Sequence, residues 1–168
     1  SAASKEIKVG TVSGAPISIG HTTSETTVNG TLTATRKYEL PSSTVGTHSG
    51  GDIYYYGNGT TVKGSIYYIN GTNWTLADAD TVATSTTLLA VALGTDPDVN
   101  GVLLKGTYTL DHDVGDNQGV PLYLSDTVAG QATATAPGTG DVVRIIGYNL
   151  GDSDEIFFDP DKTWVELS

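Results

Sequence analysis

Val120–Leu167 reads VPLYLSDTVAGQATATAPGTGDVVRIIGYNLGDSDEIFFDPDKTWVEL. Short apolar runs such as Leu122-Tyr123-Leu124, Val142 to Tyr148 and Ile156-Phe157-Phe158 alternate with Gly, Pro and Asp. No spacing of three and four residues is sustained, so helices are not expected. Apolar runs of strand length bounded by turn residues predict consecutive strands joined by tight loops. In Asp141–Tyr148 (DVVRIIGY), period-two alternation sets Arg144 on the face opposite Val143 and Ile145. Asp159-Pro160-Asp161 predicts a turn, and Thr163–Leu167 a closing strand.

Working back towards the N-terminus, Val102–Leu110 (VLLKGTYTL) alternates, placing Val102, Leu104, Gly106, Tyr108 and Leu110 on one face. A glycine on such a face predicts a bulge or a close backbone approach. Leu88–Leu93 (LLAVAL) is apolar throughout and reads as a buried strand. Ile66–Ile69 and Asn73–Leu76 flank Asn70-Gly71, a strong hairpin signal. Ile53-Tyr54-Tyr55-Tyr56 reads as a further strand. Ala77–Thr86 is the one segment expected to hold a turn of helix, capped by Asp78 or Asp80. Gly94–Gly101 and Asp111–Gly119 read as loops.

Residues 1–50 differ in character. Tyr38 is their only aromatic, and their apolar pieces are short and polar-flanked. The phrase Thr-Val-x-Gly recurs at Thr11–Gly14, Thr27–Gly30 and Thr61–Gly64, but without the fixed period of a solenoid. Residues 1–50 are therefore expected to be an extended strand-rich arm or stalk that gains burial by pairing with a neighbouring subunit. Pro41–Gly51 (PSSTVGTHSGG) reads as a loop leading into a compact β domain over 51–168.

The chain has 168 residues, enough to bury a core without staples, and it contains no cysteine. Eight basic residues against 19 acidic give a formal net charge of -11. That balance disfavours nucleic acid and anionic membranes, both of which need clustered Lys and Arg. No apolar run is long enough to span a bilayer as a helix. The opening SAASKEIKVG lacks the apolar core of a secretion signal.

Candidate chemistry is sparse. His21, His48 and His112 lie in polar segments at no metal-binding spacing, and no Gly-x-Ser-x-Gly elbow occurs. His112 reads as a solvated loop histidine. Asp96–Gly101 (DPDVNG) matches the first half of a calcium loop, but Thr107 occupies the twelfth position where a bidentate Glu belongs. The clusters Asp111, Asp113, Asp116 and Asp152, Asp154, Glu155 read as solvated loops. No Gly-rich phosphate loop leads into a helix. Asn29, Asn58, Asn70 and Asn73 lie in Asn-x-Thr sequons, three of them followed by Gly and so better read as turns. No residue is assigned to catalysis, to a cofactor or to a metal. Tyr54, Tyr55, Tyr56, Tyr67, Tyr68 and Trp74 form an aromatic cluster too dense to face one way. Some of those rings are expected at a subunit contact, in the core, or on a glycan platform.

The series Trp74–Asp80 (WTLADAD), Leu89–Gly94 (LAVALG), Gly101–Gly106 (GVLLKG), Leu122–Ser125 (LYLS), Gly130–Pro137 (GQATATAP), Val142–Tyr148 and Phe158–Asp161 (FDPD) resembles a β-rich module of tailed-bacteriophage structural proteins, notably of marine and cyanobacterial phages. Ile17–Thr33 (ISIGHTTSETTVNGTLT) is similar to segments of phage fibre-like proteins. The resemblance implies a non-enzymatic virion component, often homotrimeric, with no catalytic residues. The resulting expectation is an all-β chain, a sandwich or small barrel of roughly eight to ten strands with an N-terminal arm. It would act as a capsid decoration or cement protein on the virion surface, assembled in the host cytoplasm. Its partners would be itself, the major capsid protein or another virion protein, and in one version a host surface glycan. The alternatives are a tail-fibre or receptor-binding tip and, outside virions, a secreted carbohydrate-binding module.

Overall fold

The computed structural model describes residues 39–168. Up to residue 38 the expected arm lies outside the described residues. The loop expected over Pro41–Gly51 is partly replaced by strand, because β1 spans His48–Tyr54. Its partner is far away in sequence, which is why local composition does not reveal it. β5 (Val102–Thr109) takes β1 antiparallel, from His48↔Tyr108 to Tyr54↔Val102. The ladder is extended by Gly46 N–H to Thr109 O and Thr109 N–H to Thr47 O.

Among the described residues the chain is all-β, with two single-turn helices. The remaining strands are β2 (Ile66–Asn70), β3 (Asn73–Leu76), β4 (Leu89–Ala92), β6 (Pro121–Leu124), β7 (Ala132–Thr133), β8 (Val142–Val143), β9 (Ile145–Asn149), β10 (Glu155–Phe158) and β11 (Val165–Glu166). The main antiparallel sheet has the order β3-β2-β4-β5-β10-β9-β6-β7, with β1 added on β5, and curls into a half-barrel. β8 and β11 form a small second sheet. β5 is the pivot. β1 follows one edge, while the other edge pairs first with β4 (Ala92↔Val102, Val91↔Leu103) and then with β10 (Phe158↔Gly106 to Glu155↔Thr109). The two wings diverge from there and meet again through Ala77–Ala79. Gly130 N–H reaches Ala77 O, Ala79 N–H reaches Ser125 O, and Val142 N–H reaches Ala79 O.

The hairpin forms where the sequence predicts it but shifted by one residue, with Tyr67↔Leu76, Tyr68↔Thr75, Ile69↔Trp74 and Asn70↔Asn73, so that Asn70 lies in the ladder rather than in the turn. The turn residues are Gly71 and Thr72. The positive φ of 63° falls on Gly71, the first of the two, where a type II′ turn requires glycine. Of the run Leu88–Leu93 expected to be a buried strand, Leu89–Ala92 is strand and fully buried, whereas Leu88 is exposed and Leu93 half-buried at its ends. α1 (Val82–Ser85) sits inside the segment expected to hold it, but Thr81 is its N-cap rather than Asp78 or Asp80. Asp78 instead accepts from Asp80 N–H in a local turn, which removes it from capping. α2 (Pro97–Asn100) is one helical turn within the expected Gly94–Gly101 loop, with the Asp96 side chain accepting from Asp98 N–H.

Two apolar clusters form. The larger lies within the curl and joins Ile66, Leu89, Val91 and Leu103 from one wing to Leu122, Leu124, Ile146, Ile156 and Phe158 from the other. The smaller lies on the opposite face of the first wing, with Tyr67, Trp74, Ala90, Ala92 and Val102. The chain after β1 lies along this face. Tyr67 Oη accepts from Val62 N–H, and Trp74 Nε1–H donates to Tyr56 O. The single face expected for Val102 to Leu110 does not survive. Leu104 packs with Val102 in the smaller cluster, whereas Tyr108 and Leu110 belong to the larger one. The irregular register between Asp52 and Ile53 accounts for this, since it leaves Leu104 as an extra residue on β5 and reverses the side-chain alternation there. The expected role of Gly106 does hold. A Cβ there would stand 2.8 Å from Gly50 O and Gly51 Cα.

Candidate functional site

The aromatic cluster separates into two sets. Tyr67, Tyr68 and Trp74 are buried, whereas Tyr54, Tyr55 and Tyr56 are exposed at the end of β1. The Tyr54 and Tyr56 rings stack with centroids 5.4 Å apart and planes at 26°. Their backbone is held from below, because the buried Trp74 indole donates to Tyr56 O at 2.6 Å. Three adjacent rings are thus displayed on a main chain tied to the core.

A second surface feature is a cleft of about 260 Å³ at the C-terminal end of the chain. Its floor is Val143 and Ile145, from β8 and β9, and one side is Tyr123 from β6, which lies opposite Ile145. The other side is the returning chain, with Asp161, Thr163, Trp164 and Val165. The cleft has a simple origin. Asp161 N–H is bonded to Ile145 O, and Val165 pairs with Val143. Between those two anchors the chain stands off the sheet. Arg144 points away from Val143 and Ile145, as the alternation predicts, yet it is buried. Its Nη1 donates to Ser85 O and Thr87 O at 2.7 and 2.8 Å, and its Nε to Asp161 O at 2.8 Å. Burial pulls the guanidinium below its ordinary pKa, opposed by the Asp161 carboxylate. Arg144 thus shares the inner face with the fully buried Val142 and Ile146, while Val143 and Ile145 line the cleft.

The acidic clusters serve the backbone. Asp113 accepts from Gly115 N–H and Asp154 from Val114 N–H. Gln118 donates to Asp152, and the buried Glu155 accepts from Ser153 N–H. The loops after β5 and β9 are thereby laced together, bringing Asp111–Asp116 beside Asp152–Glu155. Asp78 stands near Asp80 and, with burial and the more distant Asp141 and Asp126, raises the carboxyl pKa of Asp80. Among the described residues, no group of three or more His, Asp or Glu side chains is arranged to hold a metal ion. His112 is not the solvated loop residue that the sequence suggests. Its Nε2 accepts from Ala132 N–H at 3.0 Å and its Nδ1 lies 3.0 Å from Asp111 Oδ1. His48 is exposed on β1, and His21 and Asn29 lie outside the described residues. Of the other sequons, Asn70 and Asn73 flank the hairpin turn, and Asn58 is bridged to Asn73.

The cleft was not legible in the sequence, because it arises from pairing between β8 and β11, far apart in the chain. The one local hint was Trp164, an aromatic beside an otherwise polar Asp161–Thr163 turn. No family model, no curated protein and no solved structure matches this chain.

Proposed function

We propose that this chain is a non-enzymatic surface protein of a tailed-bacteriophage particle, a capsid decoration protein that acts as a homotrimer on the major capsid protein. The observation that carries this reading is the row of exposed rings, Tyr54, Tyr55 and Tyr56, on a clamped backbone. Exposed tyrosines on a fixed main chain supply contact area at low entropic cost, and aromatic residues are enriched in protein interfaces. The resemblance of the Trp74–Asp161 series to phage structural modules supports the particle assignment. A lattice of identical sites then multiplies weak attachments into stable binding. The acidic surface keeps decorated particles from adhering to one another.

The test is binding of purified protein to undecorated heads. Wild type should saturate at hundreds of copies per particle, and Tyr54→Ser/Tyr55→Ser/Tyr56→Ser should lose binding by about a hundredfold while its melting temperature holds. Light scattering should report the mass of three chains. A single-chain mass would remove the trimer, and a handful of copies per particle would favour a tail-fibre tip instead.

A further inference from the structure

We propose that the C-terminal cleft is a binding site for neutral pyranose sugars, independent of the particle assignment and separate from the Tyr54–Tyr56 row. Its chemistry is amphipathic in the way a sugar ring is. The apolar and aromatic lining residues are Val143, Ile145, Val165, Tyr123 and Trp164, and the polar residues on the lining are Asp161 and Thr163. A pyranose offers an apolar C–H face to stack on an indole or phenol ring, and hydroxyls around its edge for an acceptor carboxylate and a hydroxyl. The volume, about 260 Å³, is below the ~300–1,000 Å³ of sites for drug-sized ligands and suits the end of a glycan chain.

The second argument is the cost of the arrangement. Arg144 occupies the inner side of this segment while Val143 and Ile145 face the cleft. Local rules are broken most often where a site needs them broken. Trp164 is 43% exposed although it sits beside an apolar floor it does not fully cover. The net charge of -11 argues against uronic and sialic acids and for uncharged sugars.

The chain contains two tryptophans, and Trp74 is buried, so a surface ligand is reported by Trp164. The full chain should be titrated with methyl glucoside, methyl galactoside, methyl mannoside and their short neutral oligomers, following emission and acrylamide quenching. A saturable blue shift with protection from quenching is expected for at least one sugar. Asp161→Asn and Thr163→Val should each weaken it by about tenfold. Trp164→Leu retains apolar bulk and removes the ring, and immobilised-sugar binding should be lost with an unchanged melting curve. Should Trp164→Leu fold poorly, Asp161→Asn and Thr163→Val carry the same decision. No saturable response to any of these sugars overturns the proposal, as does binding that survives all three substitutions. Saturation by tetramethylammonium and not by sugars also overturns it, in favour of a cation held by the rings and Asp161.

Discussion

Tyr108 is buried in the larger core, and its hydroxyl has no hydrogen-bond partner among the described residues. Burial, aided by Asp111, pushes its pKa from 10.0 up to about 12. The folded state thus disfavours the phenolate. The stability at stake is fully present below pH 10.0 and is lost as pH rises through about 12. Tyr108→Phe should remove that alkaline loss and raise stability by roughly 1 kcal/mol, because it deletes a buried polar atom without emptying space. Chemical denaturation at pH 8 and pH 11 checks both parts, and a destabilised Phe variant would show the hydroxyl to be bonded. Arg144 is the opposite case, since every carbonyl it serves would be left bare without it. Arg144→Met should cost roughly 2–4 kcal/mol. Lys should not rescue it, because one ammonium cannot reproduce the planar fork that reaches Ser85, Thr87 and Asp161. Both residues looked ordinary in the sequence, one a strand tyrosine and the other an outward-facing arginine. Which groups surround them depends on segments far away in the chain.

At the scale of elements, the crossing of β1 and β5 decides the most. Glycines meet there, and a Cβ on Gly106 would collide with Gly50 O and Gly51 Cα from one side and come within 3.1 Å of Leu103 from the other. Gly106→Ala should therefore cost about 1–3 kcal/mol, from this close approach and from a φ of 152° that L side chains rarely adopt. It should also loosen β1 first, visible as faster amide exchange at Ser49–Ile53 than in β2–β3. The His112 loop is tied in a comparable way. His112→Ala should cost about 1–2 kcal/mol by orphaning Ala132 N–H, with the loss seen in the midpoint of urea unfolding. The hairpin of β2 and β3 was legible because its turn and its partner are adjacent. The strand expected at Ile53–Tyr56 was legible only as far as Tyr54, and the first half of β1, His48–Gly51, was read as a loop because its partner, β5, begins nearly fifty residues later.

For the whole molecule, the described chain closes its own ladders from Gly46 to Leu167. On the decoration reading, removal of the N-terminal arm (residues 1–40) should abolish the trimer, measured by light scattering; an unchanged oligomer would refute the arm. The all-β class, the position of the hairpin, the buried centre of the Leu88–Leu93 run and the Gly106 approach were determined by the sequence alone, because period, turn chemistry and composition are local. The fork at β5, the inward Arg144, the division of the tyrosines into core and surface, and the Trp164 cleft were decided only by tertiary structure. Each depends on which distant strand occupies an edge, and antiparallel pairing between remote segments leaves no mark on either segment by itself.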